Sequence, residues 1–215
     1  EHLFASVGLH PTDVMREYFS ENKFSELASH EKVVAIGECG LDYYRGFESL
    51  KFKGESQNEM TEIKDKQKEV FQKHVEIAIK NNKALMIHSR PSVRTMDAYE
   101  DLLSILDEYK KNFGERLRGN IHFFVGTEEI ARRFFDLGFT ISFTGVITFS
   151  SDYEKVVKGA PPESILSETD CPFVAPTPYR GKRNEPIHVR EVVRRMRELR
   201  GADESFGETL LRNAE

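Results

Sequence analysis

The sequence predicts an α/β fold built around a parallel sheet, and two repeated features of its 215 residues support this prediction. Six short apolar runs, rich in β-branched or aromatic residues, each end in glycine or in a polar residue, which is typical of strands buried on both faces. Segments with helical spacing of apolar residues lie between most of these runs, as βαβ units require. The predicted strands are LFASVGLH (3–10), VVAIGE (33–38), ALMIHS (84–89), GNIHFF (119–124), FTISFTG (139–145) and SILSETD (164–170).

Four segments carry a helical pattern in which apolar residues share one face. Two other stretches lack any period: 45–62 is predicted to be a loop insertion that leads into a helix, and 175–186 to be an ordered loop. The predicted helices and their apolar faces are 60–82 (Val70, Phe71, Val75, Ala78), 97–112 (Leu102, Leu103, Leu106, Tyr109), 128–137 (Ile130, Phe134, Leu137) and 189–199 (Val189, Val192, Val193, Met196, Leu199).

The composition and the charge exclude several classes of protein. A net charge of −5 argues against a general polyanion-binding protein. Residues 180–200 nevertheless carry eight basic and three acidic side chains. We expect the helical arginines of this stretch, from Arg190 onward, to face solvent. No stretch approaches the roughly 18 apolar residues of a membrane helix. The two cysteines, Cys39 and Cys171, lack the CxxC spacing of a zinc or redox motif. We therefore expect small buried thiols in a cytoplasmic protein that does not bind membranes.

Histidines and carboxylates collect where the predicted strands end. Because the carboxyl ends of parallel strands meet at one edge or face, residues far apart in the chain can form one site there. Imidazole nitrogen and carboxylate oxygen suit zinc, manganese and similar ions, so a divalent metal ion explains the selection. The residues at these positions are His10, Glu38, Asp42, His88, Arg90, His122, Glu168 and Asp170.

Each of these residues also has a structural interpretation. His10 could cap a helix that begins near Thr12, and Glu38 could be a buried carboxylate paired with an arginine. Asp170 could cap a helix before Cys171, and Arg90 could form a salt bridge with one of the many acids. Tyr43 and Tyr44 could stack on a nucleic-acid base or pack in the core.

Six segments together resemble the TatD-type family of metal-dependent DNases. They follow the family's order over nearly the whole chain, and the second and the last are the most specific. The segments are VGLHP (7–11), AIGECGLDYYR (35–45), MIHSR (86–90), IHFFVGT (121–127), ISFTGVITF (141–149) and ETDCPFVAPTPYRGKRNEP (168–186). The resemblance implies a TIM-type (β/α) barrel, with about six of its eight strands in this chain, and 3′→5′ exonuclease cleavage of phosphodiester bonds in DNA.

The resemblance also implies roles for individual residues. The metal ligands fall on Glu38, His88, His122 and Asp170, which would meet around one or two divalent ions (Mg²⁺, Mn²⁺ or Zn²⁺). Glu38 would bridge two ions, and Asp170 would accept the proton of the attacking water. Glu168 lies two residues before Asp170 on the same predicted strand, so it should point the same way and support Asp170. Contacts to substrate phosphate fall on His10, Arg45 and Arg90, together with Arg180 and Lys182 of the RGKR loop.

The chain departs from the family at its ends. The family opens with a His-x-His strand and a second strand, whereas this sequence starts at Glu1, just before the third; LLRNAE (210–215) resembles the start of the last helical motif. We therefore expect residues 1–215 to form a single hydrolase domain, shortened at the N-terminus and slightly at the C-terminus. Two alternatives to a metal-dependent DNase stay open. One is an amidohydrolase-like enzyme acting on a small phosphoester or amide, and the other is an inactive truncated barrel. The expected partner is DNA, or RNA, as substrate, with no obligate protein partner.

Overall fold

The computed structural model describes residues 3–44 and 57–215, which divide into two compact units, Glu1–Asn120 and Ile121–Glu215. The described residues form six strands and seven α-helices in an alternating order, as the sequence predicts. All six predicted strands are present. They are β1 (Ala5–Val7), β2 (Val33–Asp42), β3 (Ala84–Arg90), β4 (Gly119–Ile121), β5 (Thr140–Phe143) and β6 (Ile165–Ser167).

The four predicted helices are also present, and three further helices join them. In the described part of the chain no helix is long and apolar enough to cross a membrane. The α-helices are α1 (Glu21–Ala28), α2 (Gln57–Asn81), α3 (Asp97–Phe113), α4 (Glu128–Asp136), α5 (Glu154–Gly159), α6 (Val189–Arg200) and α7 (Phe206–Ala214). Short 3₁₀ turns span Pro11–Asp13, Gly114–Arg116, Gly145–Thr148, Pro162–Ser164 and Pro186–His188.

The strands pair in parallel within each unit. In the first unit β2 lies between β1 and β3, with Val7 opposite Ile36 and Gly40 opposite His88. In the second unit β5 pairs with β6, and Ile141 lies opposite Ile165. Because paired parallel strands end at the same edge of a sheet, this register brings the residues at their carboxyl ends together.

The core of each unit contains the apolar faces that the sequence predicts. In the first unit the predicted faces of α2 and α3 are buried, apart from Tyr109 near the end of α3. In the second unit the predicted faces are buried only in part. Ile130 and Phe134 of α4 and Val192 and Met196 of α6 are buried, whereas the other predicted face residues are half-buried: Leu137, Val189, Val193 and Leu199. Side-chain caps begin two helices: Ser20 Oγ accepts the amide hydrogen of Lys23 in α1, and Thr127 Oγ1 accepts that of Ile130 in α4.

Two polar side chains, Gln67 and His74, lie buried on the otherwise apolar face of α2. The amide of Leu9 donates to His74 Nε2 at 2.9 Å, so Nε2 carries no hydrogen and Nδ1 donates to the carbonyl of Val70 at 2.8 Å. Burial lowers the pKa of His74 from 6.5 to about 4, against a smaller opposite effect of the bond to Val70. His74 is therefore neutral in the folded protein at neutral pH.

The neutral state of His74 predicts an acid-dependent loss of stability. Between pH 6.5 and pH 4 the unfolded chain binds a proton at His74 and the folded chain does not, so the free energy of unfolding falls as the pH falls. The loss attributable to His74 is about 3 kcal/mol across this range. Urea denaturation should show a shallower pH dependence for His74→Gln than for the wild type. Identical slopes for the two proteins would contradict this account.

Candidate metal centre

The ends of β2 and β3 bring a histidine between two carboxylates. His88 lies opposite Gly40, and Glu38 and Asp42 stand two residues to either side of that glycine, on the same face of β2. His88 Nδ1 lies 2.8 Å from Glu38 Oε1, and His88 Nε2 lies 3.1 Å from Asp42 Oδ2. Asp42 is fully buried, whereas the Glu38 side chain keeps 31% of its surface exposed and can therefore meet a ligand.

His10 joins this group from the end of β1. Its Nδ1 lies 2.6 Å from Thr12 Oγ1 and accepts the amide hydrogen of Thr12, so His10 caps the short 3₁₀ turn that follows. Its Nε2 lies 3.5 Å from Glu38 Oε1. Each of His10, Glu38 and His88 offers a ligand atom, and all three atoms lie within 4.8 Å of one another. A set of two nitrogens and a carboxylate oxygen this compact fits a divalent transition ion.

The two carboxylates control the protonation of His88. Burial lowers the pKa of His88, but the hydrogen bonds and charges of Asp42 and Glu38 outweigh burial, so the pKa lies above its usual value of 6.5. The two carboxylates therefore favour positive charge at His88. Metal ligation requires a deprotonated imidazole nitrogen, and the same carboxylates would favour a cation bound to it.

The second unit contains a similar arrangement around His122, which directly follows β4. His122 Nδ1 lies 2.7 Å from Glu168 Oε2, and the other oxygen of Glu168 accepts the amide hydrogen of Phe123 at 2.6 Å. His122 Nε2 lies 3.7 Å from Asp170 Oδ1. Asp170 follows β6 with a positive φ of 54° and stands outside any helix, so it is not a helix cap.

His88 and His122 have the same arrangement of carboxylates around the imidazole ring. In each, one ring nitrogen is bonded to a carboxylate, Asp42 or Glu168, and the other nitrogen faces a second carboxylate, Glu38 or Asp170. In metal sites the first kind of contact fixes the tautomer and orientation of a ligating histidine. The structure thus gives one predicted ligand in each unit, His88 in the first and His122 in the second, a contact of this kind.

The predicted phosphate-binding residues of the first unit have different surroundings. Arg90 is half-buried at the end of β3, and its Cζ lies 4.3 Å from the centre of the Tyr44 ring; within the described residues it makes no salt bridge. Arg45 lies outside the described residues. Tyr43 belongs to the core, because it is fully buried and its hydroxyl donates to Asp101 Oδ2 at 2.7 Å.

The basic loop of the second unit is held next to Asp170. Buried Asn184 donates through Nδ2 to the carbonyls of Thr169 at 2.8 Å and Phe173 at 2.7 Å. Arg180 and Lys182 of the loop are exposed, and the Arg180 Cζ lies 3.6 Å from the centre of the Phe149 ring. The loop therefore presents cations to solvent from a fixed backbone.

The cysteines differ from one another. Cys39 is fully buried beside Glu38, and burial first, then the charge of Glu38, raises the pKa of its thiol far above the usual value. It is therefore the inert, space-filling residue that the sequence predicts. Cys171 is exposed, so the expectation of a buried thiol is wrong there, because the chain after β6 leaves the core at Asp170.

The contacts of three buried polar residues of the first unit were not predicted from the sequence. Asp42 stands at a predicted strand end, but its bond to His88 depends on the register between β2 and β3. Gln67 and His74 interrupt an apolar helical face, which is the local signal that could have drawn attention to them.

An α/β fold with histidine and carboxylate clusters after its parallel strands is typical of metal-dependent hydrolases. The family model for TatD-related DNases matches residues 1–215. The chain is 38% identical over 203 residues to the uncharacterized metal-dependent hydrolase YabD of Bacillus subtilis (strain 168), covering 93% of this chain and 71% of YabD. It is 29% identical over 211 residues to the 3′-5′ ssDNA/RNA exonuclease TatD of Escherichia fergusonii, covering 94% and 72%.

The solved structures agree with these sequence matches. The TatD homologue YjjV of Escherichia coli K12 superposes with a TM-score of 0.81 at 26% identity, over 99% of this chain and 75% of YjjV. The chain belongs to the TatD-related DNase family, a family of metal-dependent hydrolases. This membership confirms the predicted TIM-type α/β fold class.

Proposed function

We propose that the chain hydrolyses phosphodiester bonds in DNA from the 3′ end with the help of one or two divalent ions, Mg²⁺, Mn²⁺ or Zn²⁺. The observation that carries this proposal is the orientation of His88 and His122, each held by one carboxylate and facing another. The membership of the TatD-related family and the exonuclease name of the Escherichia fergusonii relative support it.

The proposed ligands are Glu38 and His88 in the first unit and His122 and Asp170 in the second. An ion bound there would act as a Lewis acid and would activate water near neutral pH. Asp42 and Glu168 would orient the two imidazoles, and Asp170 would accept the proton of the attacking water. Of the compact set formed by His10, Glu38 and His88, Glu38 and His88 are assigned to the ion, and His10 Nε2, 3.5 Å from Glu38 Oε1, is assigned to the substrate phosphate.

The proposed substrate contacts beyond the ions are cationic side chains. Arg90 follows His88 by two residues on β3 and is stacked on Tyr44, which leaves its guanidinium edge for hydrogen bonds to phosphate. Arg180 and Lys182 present positive charge from the loop that Asn184 fixes beside Asp170. Arg45 completes the proposed set of substrate contacts.

The free thiols of Cys39 and Cys171 support the expectation of a reducing, cytoplasmic environment.

A cleavage assay tests the proposal directly. Single-stranded DNA labelled at its 5′ end should be shortened stepwise from the 3′ end when Mg²⁺ or Mn²⁺ is added, and a chelator should stop the reaction. Hydrolysis of small phosphoesters without any cleavage of DNA would contradict the proposed substrate.

The basic loop predicts a measurable salt dependence. Affinity for single-stranded DNA falls as the salt concentration rises. If Lys182 contacts a phosphate, Lys182→Ala should make this fall less steep, by about 1 in the slope of log affinity against log salt concentration. Lys155→Ala is the matched control, because Lys155 is an exposed lysine of α5 in the same unit and should leave the slope unchanged. Equal slopes for Lys182→Ala and the wild type would remove Lys182 from the substrate site.

The role of Glu168 predicts an effect on metal affinity. Glu168→Gln weakens the acceptor for His122 Nδ1, so the affinity for Mn²⁺ should fall by about 10- to 100-fold. Titration of the electron paramagnetic resonance signal of free Mn²⁺ measures this affinity. Glu163→Gln, which changes an exposed glutamate just before β6, should bind Mn²⁺ as the wild type does. An unchanged affinity in Glu168→Gln would contradict the role given to Glu168.

A further inference from the structure

We propose that Gln67 and His74 of α2 are positioning residues for the candidate metal centre of the first unit. Among the described residues, neither side chain is hydrogen-bonded to a proposed ligand. Gln67 binds the backbone of Asp42, which orients His88, and His74 binds the backbone of Leu9, which precedes His10. The helix thereby positions the backbone at the end of β2 and just after β1.

Gln67 binds both backbone groups of Asp42. Its Oε1 accepts the amide hydrogen of Asp42 at 2.9 Å, and its Nε2 donates to the carbonyl of Asp42 at 3.1 Å. This pair of bonds fixes Asp42 in position and in orientation, because a single bond would leave rotation about its axis. The carboxylate of Asp42 is the group that holds His88 Nε2 at 3.1 Å.

His74 binds the backbone next to His10. The amide of Leu9 donates to His74 Nε2 at 2.9 Å, and the bond from Nδ1 to the carbonyl of Val70 keeps Nε2 an acceptor. Phe19 packs edge-on against the His74 ring, with the ring centres 4.7 Å apart, so the ring has little freedom to turn. His10 follows Leu9 directly and places its Nε2 beside Glu38.

The burial of both side chains argues against a role in packing alone. Gln67 is 1% exposed and His74 is fully buried, and an apolar residue at either position would fill the space without the desolvation of polar groups. Seven residues separate them, so they project from the same face of α2 about 10 Å apart along its axis. One helix therefore positions the backbone at the end of β2 and just after β1. A shift of about 1 Å at such a site can cost 100-fold in rate.

Paired substitutions test this inference. Gln67→Met and His74→Phe keep the size of each side chain and remove its hydrogen bonds. The affinity of the full chain for Mn²⁺ should fall by about 10- to 100-fold in each, through Asp42 and the ligand His88 in Gln67→Met, and through His10, the neighbour of the ligand Glu38, in His74→Phe. His74→Gln should restore the affinity, because its amide oxygen can accept from Leu9. Ile77→Val removes a buried methylene from the same helix and should leave the affinity unchanged despite its lower thermal stability.

A second measurement needs no metal, so it tests the positioning roles independently of the proposed function. Only the Mn²⁺ measurement rests on the proposed function. The imidazole ¹H–¹⁵N signals of His10 should move in His74→Phe, and those of His88 should move in Gln67→Met. Neither set should move in Ile77→Val.

Each outcome decides one of the two claims. A wild-type chain that binds no Mn²⁺ would contradict the proposed function, and the imidazole signals would then judge the positioning roles alone. Unmoved imidazole signals in Gln67→Met and His74→Phe, or an equal loss of Mn²⁺ affinity in Ile77→Val, would overturn the positioning roles.

Discussion

Glu38→Gln is expected to lower metal-dependent cleavage of single-stranded DNA by more than about 100-fold. Loss of a residue that only orients a metal ligand already lowers metal affinity or activity by about 10- to 100-fold. Glu38 Oε1 lies 2.8 Å from His88 Nδ1 and 3.5 Å from His10 Nε2, so it is the shared neighbour of both imidazoles. The glutamine side chain keeps the shape of Glu38 but lacks the negative charge that a cation requires. The variant should bind Mn²⁺ more weakly and fold as the wild type does.

Glu31→Gln is the matched control for this experiment. Glu31 is an exposed glutamate just before β2, so the same change of charge there should leave cleavage and Mn²⁺ affinity as they are. Cleavage rates measured over a range of Mn²⁺ concentrations separate weak binding of the ion from slow chemistry. Undiminished cleavage by Glu38→Gln at every Mn²⁺ concentration would show that Glu38 is not a ligand.

Gly40→Ala is expected to have the largest effect on stability, a loss of about 3–5 kcal/mol in the free energy of unfolding. A Cβ atom at Gly40 would come closer than 3.0 Å to the carbonyl oxygen of His88 on the paired strand. The φ of 139° at Gly40 adds a second penalty, because side chains rarely adopt this conformation. Since β2 and β3 carry Glu38 and His88, separating them should also weaken metal binding.

Gly201→Ala measures the penalty of a positive φ alone, without a steric clash. Gly201 ends α6 with a φ of 61°, and a Cβ atom there would meet open space. Its substitution should therefore cost only about 1–2 kcal/mol. Urea denaturation measures both losses. A loss in Gly40→Ala no greater than that in Gly201→Ala would show that the close approach of β2 to β3 does not limit this position.

The secondary structure was predictable because its signals are local. The apolar runs at 33–38 and 84–89 became β2 and β3, and the helical spacing of Val70, Phe71, Val75 and Ala78 became the buried face of α2. The shorter helices α1 and α5 have no comparable apolar repeat, so no local pattern in the sequence indicates them.

The candidate site was predictable only in part. Glu38 and His88 stood out as reactive residues after apolar runs, but the bond between His88 and Asp42 depends on strand register, which the sequence pattern does not contain. The bond from Leu9 to His74 joins residues 65 positions apart. Arg195 and Arg200, expected to face solvent, instead bond to Glu154 and to the carbonyls of Val157 and Ala160, because α6 packs against α5.

Anomalous diffraction from crystals of the full chain soaked in Mn²⁺ tests most directly whether Glu38 and His88 hold a divalent ion. The account predicts an anomalous peak about 2.0–2.3 Å from a carboxylate oxygen of Glu38 and a ring nitrogen of His88. A saturating soak that leaves this position without a peak, or that places the ion away from both side chains, would contradict it.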